Sequence, residues 1–217
     1  MLSTLEQTAE LVELFKSAGK KQIFSKNEFI ISPNSVPTGV FYISEGLVKA
    51  YDITKYNEDN LLIIRKAGEI FPLIWGLNGQ ERHIIYQPLA KTITWQLNRQ
   101  TFINHITNRP NLMPPILDMT IEMYRLHSER ILNLEYRTVR ERIISFLFTM
   151  SHRFGVSTNE GIKIELPLRH QDIASSVNSS RETTSREIAA LSKKGFIEHK
   201  RNYILLKQID SLHKYID

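Results

Sequence analysis

Arg181, Glu182 and Arg186 lie within the stretch SSRETTSREI of a 217-residue chain, and their side chains suit the recognition of DNA bases. An arginine donates two hydrogen bonds to the O6 and N7 atoms of guanine, and a glutamate accepts one from the N4 amine of cytosine. At about 100° per residue, Glu182 and Arg186 share one face of a helix and Arg181 flanks that face. The pattern therefore predicts that a helix at residues 180–192 reads a DNA sequence containing G and C.

The same stretch also fits an exposed helix that binds nothing. Ser179 and Glu182 stand in the S-x-x-E order of a capping box, in which each side chain hydrogen-bonds to the other residue's backbone. Glu182 and Arg186 are four residues apart, so they can form an ion pair on the helix surface. A capped surface helix and a base-reading helix are thus both consistent with this stretch alone.

The sequence on both sides of the stretch predicts a winged helix-turn-helix. RHQDIASSV predicts a short first helix, and Asn178 suits the left-handed conformation of a tight turn before the second helix. Gly195 ends the second helix, and FIEHKRNYILL predicts a β-hairpin with a basic tip. The second helix of such a unit enters the major groove of DNA, which favours the base-reading interpretation.

Polar side chains around the reading helix suit contacts with DNA phosphates, which fix the position of a protein on the duplex. Seven residues beside the helix or on the wing are predicted to make these contacts: Arg169, His170, Gln171, Ser180, Thr183, Lys200 and Arg201. The inner face of the helix is predicted to pack through Thr184, Ile188 and Leu191. Residues 135–217 carry 14 basic and 10 acidic side chains, a net charge of +4 within a total of +5, which suits a polyanionic partner.

The first half of the chain has a different pattern. Between residues 20 and 98, short β-rich runs such as GVFYI and LVKAYDI are separated by Gly, Pro, Asn and Asp, which predicts an antiparallel barrel, roll or sandwich. A helical pattern follows, with apolar residues spaced by 3, 4 and 3: Ile116, Met119, Met123 and Leu126. This spacing predicts either a helix packed on its own domain or a coiled-coil seam between two copies of the chain.

Several classes of protein are excluded by composition. Cysteine is absent, which excludes disulfides, Cys-ligated iron–sulfur clusters and cysteine nucleophiles. The chain has neither a run of about 18 apolar residues nor a signal-peptide pattern, so we expect a cytoplasmic protein without a membrane partner. It also has no nucleophile–base pair, HExxH zinc motif or phosphate-binding loop, so we expect neither an enzyme nor a metal site.

Long stretches of the chain resemble the Crp/Fnr family of bacterial transcription regulators. The family's helix-turn-helix, including the SRET…R pattern of its recognition helix, is resembled by HQDIASSVNSSRETTSREIAALSKKGFI. The stretch that precedes this unit in the family is resembled by RTVRERIISFLFTMSHRFGV. GVFYISEGLVKAYDI and LLIIRKAGEIF are similar to the family's N-terminal β-roll. The resemblance covers nearly the whole chain.

This resemblance implies an α+β fold with three parts. An antiparallel, cupin-like β-roll forms a sensor domain at residues 1–110, similar to cyclic-nucleotide-binding domains. A dimerisation helix and hinge occupy residues 111–136, and a winged helix-turn-helix DNA-binding domain occupies residues 137–217. The seam of Ile116, Met119, Met123 and Leu126 is then the expected dimer interface.

The resemblance also implies a sequence-specific transcription regulator. It implies a homodimer that binds an inverted repeat in double-stranded DNA, with RNA polymerase as a further partner. Arg181, Glu182 and Arg186 match the family's base-reading positions and imply half-sites like TGTGA. An alternative is a small-ligand sensor that acts through a protein partner, with the winged helix as its docking surface; the basic wing and the Arg-Glu-Arg face argue against this alternative.

The sensor half departs from the pattern of cyclic-AMP-binding members. In those members a Gly-Glu pair begins a short helix and an Arg-Ser pair holds the phosphate, whereas here Pro-Leu stands at the first place and Arg82 is followed by His83. A buried phosphate without these donors would be an uncompensated charge, so we do not expect cyclic AMP to bind. The effector is therefore another small molecule or is absent. Phe71, Trp75 and Arg82 are the candidate lining of an effector pocket, with core packing as the alternative for Trp75.

Overall fold

The computed structural model describes residues 2–26 and 28–216. The chain divides into two units. The first contains Met1–Asp52 and Leu62–Arg125, and the second contains Ile53–Leu61 and Leu126–Asp217.

The first unit is built mainly of antiparallel strands. Its elements in chain order are α1 (Leu5–Ala18), β1 (Lys20–Phe24), β2 (Val40–Glu45), β3 (Leu47–Ile53), β4 (Asp59–Lys66), β5 (Ile70–Phe71), α2 (Leu73–Asn78), β6 (Ile85–Pro88), β7 (Thr92–Leu97) and α3 (Arg99–Asn108). The last residue of β3 and residues 59–61 of β4 belong to the second unit. A 3-10 turn (Pro110–Leu112) then leads into the long helix α4 (Met113–Tyr136), whose C-terminal part lies in the second unit. The strands form two sheets, ordered β1-β7-β2-β5 and β4-β3-β6.

Side chains on the two faces of β2 pack into two different layers, because successive residues of a strand point to opposite faces. Val40 and Tyr42 pack in a cluster with residues of α1 and α3, such as Phe15 and Phe102. Phe41 points the other way and stacks on Phe71, with ring centroids 5.4 Å apart. Both faces of β2 are therefore buried, which explains why its sequence does not alternate between apolar and polar residues.

The second unit contains the C-terminal helices and a four-stranded sheet. Its elements after α4 are α5 (Val139–Phe154), β8 (Gly155–Thr158), β9 (Gly161–Ile164), α6 (His170–Ser176), α7 (Arg181–Lys193), β10 (Ile197–His199), β11 (Ile204–Leu206) and α8 (Ile209–His213). The sheet has the order β10-β11-β9-β8, and all its pairs are antiparallel. The helix pair α6–α7 followed by the β10–β11 hairpin forms the predicted winged helix-turn-helix, and the α+β fold class is confirmed.

Strand β8 was not predicted from the sequence. All four of its residues are exposed, so it lacks the apolar alternation by which strands are recognised. Its pairing with β9 rests on backbone hydrogen bonds, from Gly155 opposite Ile164 to Thr158 opposite Gly161. The wing is consequently one side of a larger sheet rather than an isolated hairpin.

The apolar side chains that α4 exposes are not those of the predicted dimer seam. Ile116 is only 1% exposed and Met119 packs against the core of the first unit, so both stabilise their own subunit. Met123 lies against Arg65, whose Nη2 is 3.0 Å from the Met123 sulfur. The large apolar side chains that α4 does expose are Met113, Leu117, Ile121, Tyr124, Ile131, Leu132 and Tyr136. Ile116 is therefore too deeply buried to take part in the predicted interface, whereas the partly buried Met119 stays a predicted interface residue.

Candidate nucleic-acid interface

Helix α7 presents a charged outer face and a buried inner face. Arg181, Glu182 and Arg186 are all exposed. Thr184, Ile188 and Leu191 are buried, as their spacing predicted. Burial of the inner face fixes the rotation of the helix about its axis, and this rotation directs the three charged side chains outward together.

Helix α7 is fixed by one contact at its middle and by one turn just after its C-terminal end. Arg140 of α5 donates from Nε to the Glu187 carboxylate at 2.6 Å, which ties the middle of α7 to the neighbouring helix. Gly195 adopts a left-handed conformation with φ of 75° just after α7, and its amide donates to the Ser192 carbonyl at 3.0 Å. A side chain is strained at such a φ, so glycine allows the chain to turn directly into the wing.

Helix α7 is capped by Ser180 rather than by Ser179. The Ser180 Oγ accepts a hydrogen bond from the Thr183 amide at 3.1 Å and donates one to the Thr183 Oγ at 3.0 Å. The capping box expected between Ser179 and Glu182 is therefore wrong by one residue. Because Ser180 and Thr183 form the cap, the Glu182 carboxylate lies outside it.

Glu182 is also outside the expected ion pair with Arg186. The Arg186 Nη2 instead donates to the Thr183 Oγ at 3.3 Å, and within residues 2–26 and 28–216 no ion pair joins Arg186 to Glu182. The Glu182 carboxylate is thus free to accept a hydrogen bond from a base. Ser180 and Thr183, which were predicted to contact phosphates, have their hydroxyls engaged in this local network.

The turn between α6 and α7 has the predicted geometry. Asn178 adopts φ of 50°, in the left-handed region, and the Ser179 amide donates to the Ala174 carbonyl at 3.0 Å. Ile173 and Ala174 are buried on the inner face of α6. The turn therefore brings the start of α7 close to the end of α6, which is the arrangement that a helix-turn-helix requires.

Arg169 precedes α6 and is paired with Asp172. Its backbone amide donates to the Asp172 carboxylate at 2.9 Å, and its Nε and Nη2 donate to the same group at 3.2 and 3.4 Å. These hydrogen bonds and the Asp172 charge raise the pKa of the Arg169 guanidinium. A guanidinium has five N–H donors, so the remaining ones can still meet a phosphate while Asp172 holds the side chain in position.

His170 stacks on His199, a residue that the sequence reasoning did not single out. Their ring centroids are 4.8 Å apart, and the His170 Nε2 lies 3.1 Å from the His199 Nδ1. His199 stands at the end of β10 and His170 at the start of α6, 29 positions earlier. The only sequence signal for His199 was its position next to the basic tip of the hairpin, which gives no indication of a partner in α6.

The wing carries its two predicted cations at its tip. Lys200 and Arg201 are exposed, and the Lys200 amide donates to the Tyr203 carbonyl at 2.9 Å to close the turn. The Glu198 carboxylate lies 2.8 Å from the Lys207 Nζ and 3.3 Å from the Lys200 Nζ, and these two lysines lower the pKa of Glu198. Lys200 therefore has an acidic neighbour that also interacts with Lys207.

The candidate effector pocket is not supported by the packing of its three residues. Phe71 is fully buried between Phe41 and Tyr86, with the Phe71 and Tyr86 ring centroids 4.7 Å apart. Trp75 packs instead against the cluster formed with α1 and α3, and Arg82 is exposed. Phe71 and Trp75 therefore pack in two different layers, and the pocket of Phe71, Trp75 and Arg82 stays a prediction.

Residues 2–26 and 28–216 contain no group of three or more His, Cys, Asp or Glu side chains placed to hold a metal ion. In the same part of the chain, no helix combines the length and the apolar character needed to cross a bilayer.

Comparison with known proteins gives the same assignment as the helix-turn-helix geometry. Residues 141–215 match the Crp-like helix-turn-helix domain. The global nitrogen regulator of Nostoc sp. is 26% identical over 196 residues, which cover 87% of this chain and 86% of that protein. The fumarate and nitrate reduction regulatory protein of Escherichia coli is 22% identical over 206 residues, which cover 94% of this chain and 81% of that protein.

Two solved structures share the fold over almost the whole chain. A mutant of CooA from Carboxydothermus hydrogenoformans matches with a TM-score of 0.80 and 23% identity, covering 94% of this chain and 90% of the other. FixK2 from Bradyrhizobium japonicum matches with a TM-score of 0.78 and 19% identity, covering 92% and 98%. The chain thus contains a Crp-like helix-turn-helix domain at residues 141–215, is similar over most of its length to bacterial regulatory proteins of the Crp/Fnr type, and shares the fold of these two solved structures.

Proposed function

We propose that the protein is a homodimer that binds an inverted repeat in double-stranded DNA through TGTGA-like half-sites. Each subunit inserts α7 into the major groove. Arg181 and Arg186 donate to the O6 and N7 atoms of guanines, and Glu182 accepts from the N4 amine of a cytosine. The two recognition helices of the dimer lie about 34 Å apart, one turn of DNA, as in other dimeric helix-turn-helix proteins.

The observation that carries this proposal is the state of Glu182. A glutamate that capped its helix or paired with Arg186 would have to break that interaction before it could accept from a base. Here Ser180 forms the cap and Arg186 bonds to Thr183, so the Glu182 carboxylate is exposed and available. Sequence reading therefore requires little rearrangement at this position.

The exposed apolar residues of α4 support the dimer. Leu117, Ile121 and Tyr124 are spaced by 4 and 3 residues, and Ile131 follows one heptad after Tyr124. This is the spacing at which helices pair side by side, and the same patch on a second subunit is its simplest complement. Tyr124 is 75% exposed in the single chain, so pairing would remove a large apolar surface from water.

Phosphate contacts are proposed around the reading helix. Arg169, Gln171, Lys200 and Arg201 surround it with cationic and amide donors, and His170 adds an imidazole. Ser180 and Thr183 can contact a phosphate only by exchanging their mutual hydrogen bond for one to the DNA. We therefore assign the larger part of the salt-dependent affinity to the arginines and to Lys200.

We infer that cyclic AMP does not regulate this protein. Phe71 and its stacking partners fill the interior of the roll, and the Gly-Glu and Arg-Ser pairs of the cyclic-AMP-binding members are missing. The effector is another small molecule, or the protein acts without one. Titration calorimetry with cyclic AMP is expected to give no binding heat, and a saturable signal would contradict the inference.

We also propose that the dimer acts on RNA polymerase in the cytoplasm, as the family resemblance implies. The alternative is a sensor that docks on a protein partner through its winged helix. The two differ in their response to salt, because a DNA complex weakens steeply as salt rises. A partner bound equally well at low and high salt, by a protein without affinity for DNA, would replace the DNA proposal.

The direct test is a binding measurement on two DNA duplexes of equal base composition. One carries an inverted repeat of TGTGA half-sites and the other is scrambled, and fluorescence anisotropy is recorded at about 150 mM salt. Specific binding is expected to be at least about 10³-fold tighter than binding to the scrambled duplex. A third duplex, whose half-sites are moved apart by about half a helical turn, is expected to lose this preference. Equal affinity for the first two duplexes would contradict the proposed function.

A further inference from the structure

The stacked pair of His170 and His199 lies beside three arginines. Leu168, Arg169, His170, Gln171, Arg181, His199 and Arg201 line one open cleft of about 580 Å³. The cleft is bordered by the start of α6, the start of α7 and the wing, the three parts of a helix-turn-helix that approach DNA. Its arginines and histidines suit an anion, and the anion that DNA offers at this place is a backbone phosphate.

The hydrogen bonds of the pair determine where its protons are. The His199 Nε2 lies 3.3 Å from the Leu168 carbonyl oxygen, which can only accept, so this nitrogen carries a proton. In a neutral His199 the Nδ1 is then an acceptor, and the His170 Nε2, at 3.1 Å, donates to it. The Nδ1 of His170 is left as the position that takes up the next proton.

Positive charge around the pair opposes that protonation in the free protein. The charged groups in the cleft or next to it are Arg169 and Asp172 at α6, Arg181 on α7, and Glu198, Lys200 and Arg201 at the wing, and the charge of Asp59 of β4 acts on Arg169. Two of the three acids are engaged with cations: Asp172 pairs with Arg169, and Glu198 with Lys207 and Lys200. Burial first, then His199 and Arg181, lower the pKa of His170 below its ordinary value of 6.5, so this ring is neutral near neutral pH.

We propose that His170 and His199 form a proton-accepting phosphate site, so that each subunit takes up a proton when it binds DNA. This inference rests on the proposed function, because it takes the DNA backbone as the ligand of the cleft. A phosphodiester bound beside His170 adds a negative charge to surroundings that are positively charged in the free protein, and this negative charge favours the protonated imidazolium. The imidazolium, with a donor at Nδ1, then binds the phosphate as a charged hydrogen-bond donor.

The sign of the pH dependence follows from these charges. In the free protein the pKa of His170 is lowered, and an anion within about 4–6 Å raises a pKa by about 1–3 units. Between the pKa of the free protein and that of the complex, DNA binding therefore takes up about one proton per subunit. Affinity rises as the pH falls through the pKa of the complex and becomes constant below the pKa of the free protein. The dimer is expected to bind DNA at least about tenfold more tightly at about pH 6 than at about pH 8.

The experiment measures proton uptake directly on the full-length protein. The inverted-repeat duplex is titrated calorimetrically in two buffers that differ in ionisation enthalpy, at the same pH and ionic strength. The two binding enthalpies are expected to differ in proportion to about one proton per subunit. A parallel titration with inorganic phosphate in place of DNA is expected to show no uptake, and equal uptake there would overturn the assignment of the cleft to the DNA backbone.

Three variants separate this site from the other histidines. His170→Gln and His199→Gln are each expected to bind DNA with nearly the same affinity at about pH 6 as at about pH 8, and so to lose the tightening that the parent shows between these two values. His83→Gln, in an exposed loop of the first unit, is the matched control and is expected to keep it. Equal enthalpies in the two buffers, or a parent and a His170→Gln variant with the same pH dependence, would overturn the proton site. Failure to bind the palindrome at any pH would instead overturn the proposed function.

Discussion

Replacing Glu182 by Ala is expected to abolish the preference for cytosine at one position of each half-site while leaving the fold intact. The fold is expected to tolerate the change because the Glu182 carboxylate lies outside the helix cap and is exposed. The main contribution lost is a favourable interaction of an acid with the first turn of α7, about 0.3–1 kcal/mol. Alanine's high helix propensity offsets part of this.

The effect on DNA recognition is expected to be larger than the effect on stability. A well-placed contact between a side chain and a base edge discriminates against a wrong base by about 1–3 kcal/mol, or about 5- to 150-fold per half-site. The proposed dimer reads both half-sites, so changing this base pair in both of them is expected to weaken binding of the parent protein by the square of the factor for one half-site. The variant has no acceptor to offer at this position, so its affinities for all four bases should become nearly equal.

The assay is fluorescence anisotropy with four palindromes that differ only at this base pair in both half-sites. Unfolding in urea is measured alongside, with Ser180→Ala as the comparison, because loss of the cap is expected to cost about 1 kcal/mol. A Glu182→Ala variant that keeps the parent's order of preference at this base pair would contradict the proposed contact. So would a variant that unfolds more readily than Ser180→Ala, since Glu182 would then have a structural role.

Three further predictions concern other parts of the molecule. Lys200→Ala is expected to weaken binding to specific and scrambled duplexes by the same factor. It is also expected to reduce the slope of log affinity against log salt concentration by about 1 per contact, as measured by anisotropy over a salt series. Weaker binding to the palindrome alone would contradict a phosphate contact. Ile121→Asp is expected to give monomers in native mass spectrometry, with the exposed Met113→Asp at the start of α4 as its control, and an intact dimer would contradict the seam. Phe71→Ala is expected to lower the free energy of unfolding in urea by about 3–5 kcal/mol, because the ring is buried in a closed aromatic stack, and a loss below about 1 kcal/mol would contradict that packing.

Local patterns in the sequence were sufficient to predict the winged helix-turn-helix. Asn178 and Gly195 mark the left-handed positions of the turn and of the helix end, and both conformations are observed. The spacing of Thr184, Ile188 and Leu191 identified the inner face of α7. These signals are reliable because turn geometry and helix periodicity depend on residues close together in the chain.

Predictions that depended on packing between distant elements were less successful. The spacing of Ile116 and Met119 fits a seam, but periodicity cannot tell whether a seam faces a partner or the same subunit, and here it faces the core of its own unit. Phe71 and Trp75 are four residues apart in the chain, yet a strand end and a helix place them in different layers. Contacts with other elements decide such cases.

The sequence by itself determined what the reading helix presents: Arg181, Glu182 and Arg186 are outward because helix periodicity places them opposite an apolar face. The sequence did not determine which of these groups is free, because Ser179 and Ser180 both fit an N-cap, and Glu182 and Thr183 both lie within one turn of Arg186; the structure has Ser180 as the cap and Thr183 as the partner of Arg186. Only the tertiary structure brought His199 onto His170, since they lie 29 positions apart and their contact exists only when the wing folds back beside α6.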